Sequence, residues 1–88
     1  MSREPVLIRY FAWVRERIGL SEERLALPET IVTGGDLVRW LANRGDAYAF
    51  AFETPDTIRV AVDQLHIEQD EPIGEAREIA LFPPMTGG

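Results

Sequence analysis

The sequence predicts one α+β domain in which a twisted sheet of about five strands covers one main helix, and three observations carry that prediction. Apolar residues recur with a period of two near both ends of the chain, in Val6 to Phe11 and in Glu78 to Phe82, as half-buried strands require. Between them Leu37, Trp40 and Leu41 stand at i, i+3 and i+4, one apolar stripe of an amphipathic helix. With 88 residues there is room for a single core, and with no cysteine nothing covalent staples it.

Each element has its own justification. In the first strand Val6, Ile8 and Tyr10 alternate with Leu7, Arg9 and Phe11, so both faces carry apolar groups and the strand belongs in the sheet interior. Ala12 to Ile18 contains no turn residue and sets Val14 four residues before Ile18. Gly19 then stops this short helix. Arg24 to Leu27, ahead of Pro28, reads as a second strand with Leu25 and Leu27 on one face. Thr33 and Asp36 have the spacing of a capping box, Val32 and Leu37 that of a hydrophobic staple, and Gly45 is the expected stop of the main helix. Asp46 to Phe52 sets Tyr48, Phe50 and Phe52 among alanines, a pattern that fits a short helix or a strand equally. Ile58, Val60 and Val62 form a clear strand ending at Asp63-Gln64. Leu65 to Ile67 is a minor strand, Asp70-Glu71-Pro72 a turn, and Glu78 to Phe82 the last strand.

Composition removes several functions. Fifteen acidic against nine basic residues give a net charge of −6, which opposes a nucleic-acid phosphate backbone. The apolar-leaning run that follows Pro5 is too short and broken for a membrane segment or a secretory signal, so a cytoplasmic protein without a membrane partner is expected. Without cysteine there is no thiol chemistry, and no metal site is expected because the lone His66 has no companion ligand. Gly34-Gly35 precede a helix but lack the rest of a phosphate-binding motif, so they are expected to permit the tight entry to the helix. Glu68, Asp70, Glu71, Glu75 and Glu78 do not match a calcium loop and read as a solvated acidic face. Of the two tryptophans, Trp40 is expected in the core and Trp13 partly exposed. All nine basic residues are arginines, so the chain has no lysine amine to accept an acyl group.

What remains is the end of the sequence, Pro83-Pro84-Met85-Thr86-Gly87-Gly88. Two prolines remove two backbone donors and keep the segment out of a sheet interior, so residues 1–82 are expected to form the domain and 83–88 an extended arm. Stretched, those residues reach about 20 Å. The two glycines make a thin tip whose terminal carbonyl is open to attack. With no reactive side-chain constellation elsewhere, the expected reactive group is the main-chain carboxylate of Gly88, carried by Gly87, Thr86, Met85, Pro84 and Pro83.

The chain resembles the small-subunit family of molybdopterin synthase, within the ubiquitin-like β-grasp sulfur carriers. Three blocks in order carry the resemblance: Tyr10-Phe11-Ala12-Trp13-Val14-Arg15-Glu16, Ala61-Val62-Asp63-Gln64, and Leu81-Phe82-Pro83-Pro84-Met85-Thr86-Gly87-Gly88. It implies a β-grasp fold with a mixed sheet. It also implies a non-catalytic carrier in which an E1-like adenylating enzyme uses MgATP to activate Gly88 and a sulfur donor protein converts it to a thiocarboxylate. The large synthase subunit would then use that sulfur on cyclic pyranopterin monophosphate to build the molybdenum cofactor. No permanently bound cofactor is expected on this resemblance. Phe11, Phe82 and His66 match the partner-binding positions, with ordinary core packing as the other role that fits the two aromatics.

Two residues depart from the family pattern. Asp63 stands where asparagine is usual, which changes the hydrogen-bonding capacity of that turn. Ala76 takes the place of a glycine before the last strand, a position that would be strained if the turn required positive φ there. Other β-grasp sulfur carriers, serving thiamine, tRNA thiolation or cysteine synthesis, and ubiquitin-like protein modifiers are the alternative functions, followed by an interaction module with an inert tail.

Overall fold

The computed structural model describes residues 4–84. Its elements are β1 (Val6–Tyr10), α1 (Ala12–Ile18), β2 (Glu22–Leu25), α2 (Gly34–Ala42), α3 (Asp46–Ala51), a 3-10 turn (Pro55–Thr57), β3 (Arg59–Val62), β4 (Leu65–Ile67) and β5 (Glu78–Phe82). The strands form one sheet in the order β2-β1-β5-β3-β4. β1 and β5 run parallel at its centre and every other neighbouring pair is antiparallel. The mixed α+β fold with about five strands is therefore as the sequence predicts.

One sheet face holds the core. Ile8, Tyr10, Val60, Ile79 and Leu81 project from the strands against Val14, Leu37, Val38, Leu41 and Phe52, and all of them are fully buried. The short helix α1 stops where expected, because Gly19 adopts φ 89° and its N–H donates to the Arg15 carbonyl at 2.8 Å. The second strand differs from its predicted span. It begins at Glu22, since Glu22 to Leu25 pair with Arg9 to Val6 of β1, and Leu27 is buried beyond the strand's end. That register depends on a long-range partner, which local periodicity does not contain.

The capping box of α2 is complete. The Asp36 N–H donates to Thr33 Oγ1 at 3.1 Å, and Asp36 Oδ2 accepts from the N–H groups of Thr33 at 3.0 Å and Val32 at 3.1 Å. These backbone donors hold the Asp36 carboxyl below its ordinary pKa, with the Thr33 N–H the largest cause. The predicted staple is absent, because Val32 is 52% exposed and Ile31 fills the inward position. Helix α2 stops at Ala42, not at Gly45: Asn43 caps it with an N–H on Trp40 and Leu41, and its Nδ2 donates to the Arg39 carbonyl. Val38 joins Leu37 and Leu41 on the buried stripe, whereas Trp40 is only half-buried, at the core's rim beneath Arg44. Gly34 and Gly35 open α2 where a second segment of backbone comes close. Their N–H groups donate to the carbonyls of Glu71 and Gln69, and a Cβ on Gly35 would lie 3.3 Å from the Gln69 carbonyl oxygen.

The undecided aromatic segment is α3. Helical spacing turns Tyr48 inward and leaves Phe50 half-exposed, while Phe52, just past the helix, is buried. Arg17 pins α3 to α1: its guanidinium lies 4.2 Å from the Trp13 ring centroid and 4.1 Å from that of Phe50, and donates to the Phe50 carbonyl. On the other side, Glu23 Oε2 accepts from the hydroxyls of Tyr10 at 2.7 Å and Tyr48 at 2.6 Å, with Arg44 3.6 Å from Oε1. One carboxylate thus satisfies the polar end of a buried tyrosine and ties β1, β2 and α3 together.

Neither departure from the family pattern disturbs its turn. Asp63 and Gln64 both have positive φ, as a two-residue hairpin of this kind requires, and Asp63 Oδ1 accepts from the N–H groups of Arg77 and Glu78 at 3.0 Å each. The positive φ in the turn before β5 falls on Gly74, not on Ala76, which packs against the core instead. Among the described residues no helix is long and apolar enough to cross a membrane.

Replacing Thr33 by Ala is expected to lower stability by about 1 kcal/mol, measured by urea unfolding, because the first turn of α2 loses its side-chain acceptor. Alkaline pH supplies a second expectation. Burial first, and then the bond to Glu23, raise the pKa of both Tyr10 and Tyr48 above the ordinary tyrosine value. The unfolded chain therefore loses these protons first, so stability that is intact below about pH 10 falls as the pH rises further. Chemical denaturation between pH 8 and 11 should show that fall, and Tyr10→Phe should flatten it while weakening the protein at neutral pH.

Candidate functional site

The two aromatics expected from the resemblance to bind partners lie where β1 and β5 end. Parallel register sets Tyr10 beside Leu81, so the residues that follow, Phe11 and Phe82, meet on the sheet face away from the helices. Their rings stack with centroids 4.6 Å apart and planes 8° from parallel, and the Phe11 N–H donates to the Leu81 carbonyl at 3.1 Å. Both are only half-buried and lie outside the core cluster, so core packing does not account for them. Ala12 has φ 53°, a left-handed conformation that costs an L-residue roughly 1–2 kcal/mol and turns the chain abruptly into α1 just after Phe11. The stack thus has a strained backbone on one side and the departing tail on the other.

Charges surround it in a definite order. The guanidinium of Arg9 lies 5.2 Å from the Phe11 ring centroid and is flanked by Glu78 at 3.4 Å and Glu22 at 3.6 Å. Cross-strand register puts Glu22, Arg9, Ala80, Ala61 and His66 in one row across the outer face, with Phe82 opposite Arg59 in the next. His66 is exposed, 3.8 Å from a Glu68 carboxylate oxygen. It shares the outer face with the aromatic pair, in the neighbouring row. A shallow groove of about 400 Å³ runs beside the tail root, lined by Arg59, His66, Glu68 and Pro84 among others. A larger groove of about 740 Å³, lined by Val6, Arg24, Ile73 and Arg77 among others, lies at the opposite pole where β1 and β5 begin.

Pro83 and Pro84 follow β5 outside any strand, half-buried. Met85, Thr86, Gly87 and Gly88 lie outside the described residues. The structure therefore brings Phe11, Phe82, Pro83 and Pro84 to one place and His66 to its margin. The position of Arg59 opposite Phe82 was not legible in sequence, because it follows from the pairing of β3 with β5.

Residues 8–88 match the model of the ThiS family. The chain belongs to that family. Within it, the chain is 33% identical over 81 residues to the molybdopterin synthase sulfur carrier subunit of Haemophilus influenzae, covering 92% of this chain and 96% of the relative. It is 32% identical to the subunit of the same name from Escherichia coli, covering 94% and 99% respectively. Among solved structures it resembles the small archaeal modifier protein SAMP1 of Haloferax volcanii, with a TM-score of 0.68, 26% identity and coverage of 96% and 99%. A putative molybdopterin converting factor subunit from Pyrococcus furiosus shares the fold with a TM-score of 0.69 at 24% identity, covering 93% of this chain and 99% of that one. The chain is thereby a member of the ubiquitin-like β-grasp sulfur carriers.

The Phe11–Phe82 stack is expected to contribute energy beyond the area it covers. A double-mutant cycle with Phe11→Ala and Phe82→Ala, followed by urea unfolding, should give a coupling of about 1 kcal/mol. A coupling near zero would mean that the rings are merely adjacent.

Proposed function

We propose that the chain is the sulfur-carrier subunit of a molybdopterin synthase. The observation that carries this reading is the Phe82-Pro83-Pro84 exit followed by Thr86-Gly87-Gly88, in a chain about one-third identical to subunits of that name over nearly their whole length. The family match extends through residue 88, which supports Gly88 as the reacting residue. The part it plays is non-catalytic: it positions a main-chain group on which other proteins act.

The chemistry divides into steps for which this chain is the substrate. An E1-like enzyme transfers the adenylyl group of MgATP to the Gly88 carboxylate, releasing pyrophosphate and making a mixed anhydride. A sulfur donor protein supplies sulfur to that carbonyl, AMP leaves, and Gly88 becomes a thiocarboxylate. Residues 83–88 form the arm that inserts into the large synthase subunit, where the sulfur passes to cyclic pyranopterin monophosphate. A carboxylate is inert until adenylated, whereas a thiocarboxylate sulfur is a good nucleophile at neutral pH. Threading the arm makes the delivery effectively intramolecular. The outer sheet face around Phe11 and Phe82, with His66 at its edge, is the docking surface in this reading.

Likeness to SAMP1 favours a second reading, conjugation to other proteins through the same terminus. Mass spectrometry after co-expression with an activating enzyme and a sulfur source separates the outcomes. The expected species has one oxygen of the C-terminal carboxylate replaced by sulfur, and removing Gly87 and Gly88 abolishes it without unfolding the domain. Isopeptide adducts on cellular lysines in place of that species would favour the modifier.

A further inference from the structure

Arg59 is an exposed guanidinium at the root of the tail, and among the described residues it has no ion pair, side-chain hydrogen bond or ring contact. Its surroundings make that isolation informative. On the other side of the stack Arg9 lies between Glu22 and Glu78, and in the groove beside Arg59 the carboxylate of Asp56 is bonded to Arg39 at 2.6 Å. Arg59 pairs directly across the sheet with Phe82 and lines the same groove as His66 and Pro84. Arg15, Arg24 and Arg77 also lack partners within the described residues, but Arg15 is on α1, and Arg24 and Arg77 line the groove at the opposite pole.

A local positive charge beside an apolar stack, on a chain whose net charge is −6, has a specific complement. On an acidic molecule a single unpaired guanidinium acts at short range, where screening is least, and favours a carboxylate placed opposite it. We infer that Arg59 is a recognition residue that pairs with a carboxylate on the rim of the apolar recess into which a protein partner takes the Phe11–Phe82 stack. The inference rests on the docking face of the proposed function and adds the chemistry of the partner: an apolar pocket flanked, on its β3 side, by Asp or Glu. A guanidinium suits the task because it offers paired donors to a carboxylate and keeps its charge at any physiological pH. Placed one strand away from the tail, that pair sets the rotation of the domain about the arm's axis, which an aromatic stack by itself leaves loose.

The test measures binding of the wild-type chain, Arg59→Ala, Arg59→Glu and Arg24→Glu to the purified activating enzyme and to the purified large synthase subunit of the same organism, by calorimetry at two salt concentrations. The expected result is a loss of about tenfold or more in affinity to at least one of them for Arg59→Glu, a smaller loss and weaker salt dependence for Arg59→Ala, and no change for Arg24→Glu, at the opposite pole. Restoration of the Arg59→Glu complex by an Asp→Arg or Glu→Arg change on that partner's rim would identify the carboxylate. Wild-type binding that Arg59→Glu leaves unchanged for both proteins overturns this inference alone. A wild-type chain that binds neither protein overturns the functional reading and this inference with it.

Discussion

The parallel pairing of β1 with β5 is the constraint on which the rest of the structure depends. It joins the first and last strands at the centre of the sheet and lets β2 and β3 add on either side. Because the two run in the same direction, their C-terminal ends finish together, and the helix that follows β1 starts where the segment that follows β5 departs. Parallel neighbours need a crossover, and here everything from α1 to β4 supplies it. The core lies beneath that crossover, and the opposite face of the sheet is left uncovered by helix.

On that uncovered face the alternation of side chains does most of the organising. Ala61 and Ala80 keep the middle of one row low, Arg9 and His66 stand to either side of them, and the aromatic pair rises at the end from which the arm leaves. Inside, Glu23 is the counterpart: its carboxylate allows a tyrosine to end β1 within the core without an unsatisfied hydroxyl. The absence of cysteine and lysine from the sequence suits the main-chain payload proposed for Gly88, which must not react with its own carrier.

Much of this was legible in the sequence wherever the determining contact is local. Thr33 and Asp36 are three residues apart and bond as their spacing predicts, and the strands from Val6 and from Glu78 declare themselves by alternation. Where a distant partner decides, the sequence was silent. The span of β2 is set by β1, and the helical state of Asp46 to Ala51 by Glu23 on one side and Arg17 on the other. Val32 misled because the loop carries Ile31 inward in its place, and Trp40 because Val38 already occupies the centre of the helix's buried stripe. The stacking of Phe11 on Phe82 joins residues 71 apart, a distance that only the parallel ladder closes.

That same ladder has a mechanical consequence. In the proposed function, a pull on the segment after Phe82 would load β5, a strand bonded on one side to β1 and on the other to β3. Sliding β5 out would shear both rows of hydrogen bonds at once, instead of opening them one after another as peeling an edge strand would. The segment that begins at Pro83 is therefore anchored in the strand best placed to resist being pulled, and a partner of the kind proposed would be able to draw on it while the domain stays folded.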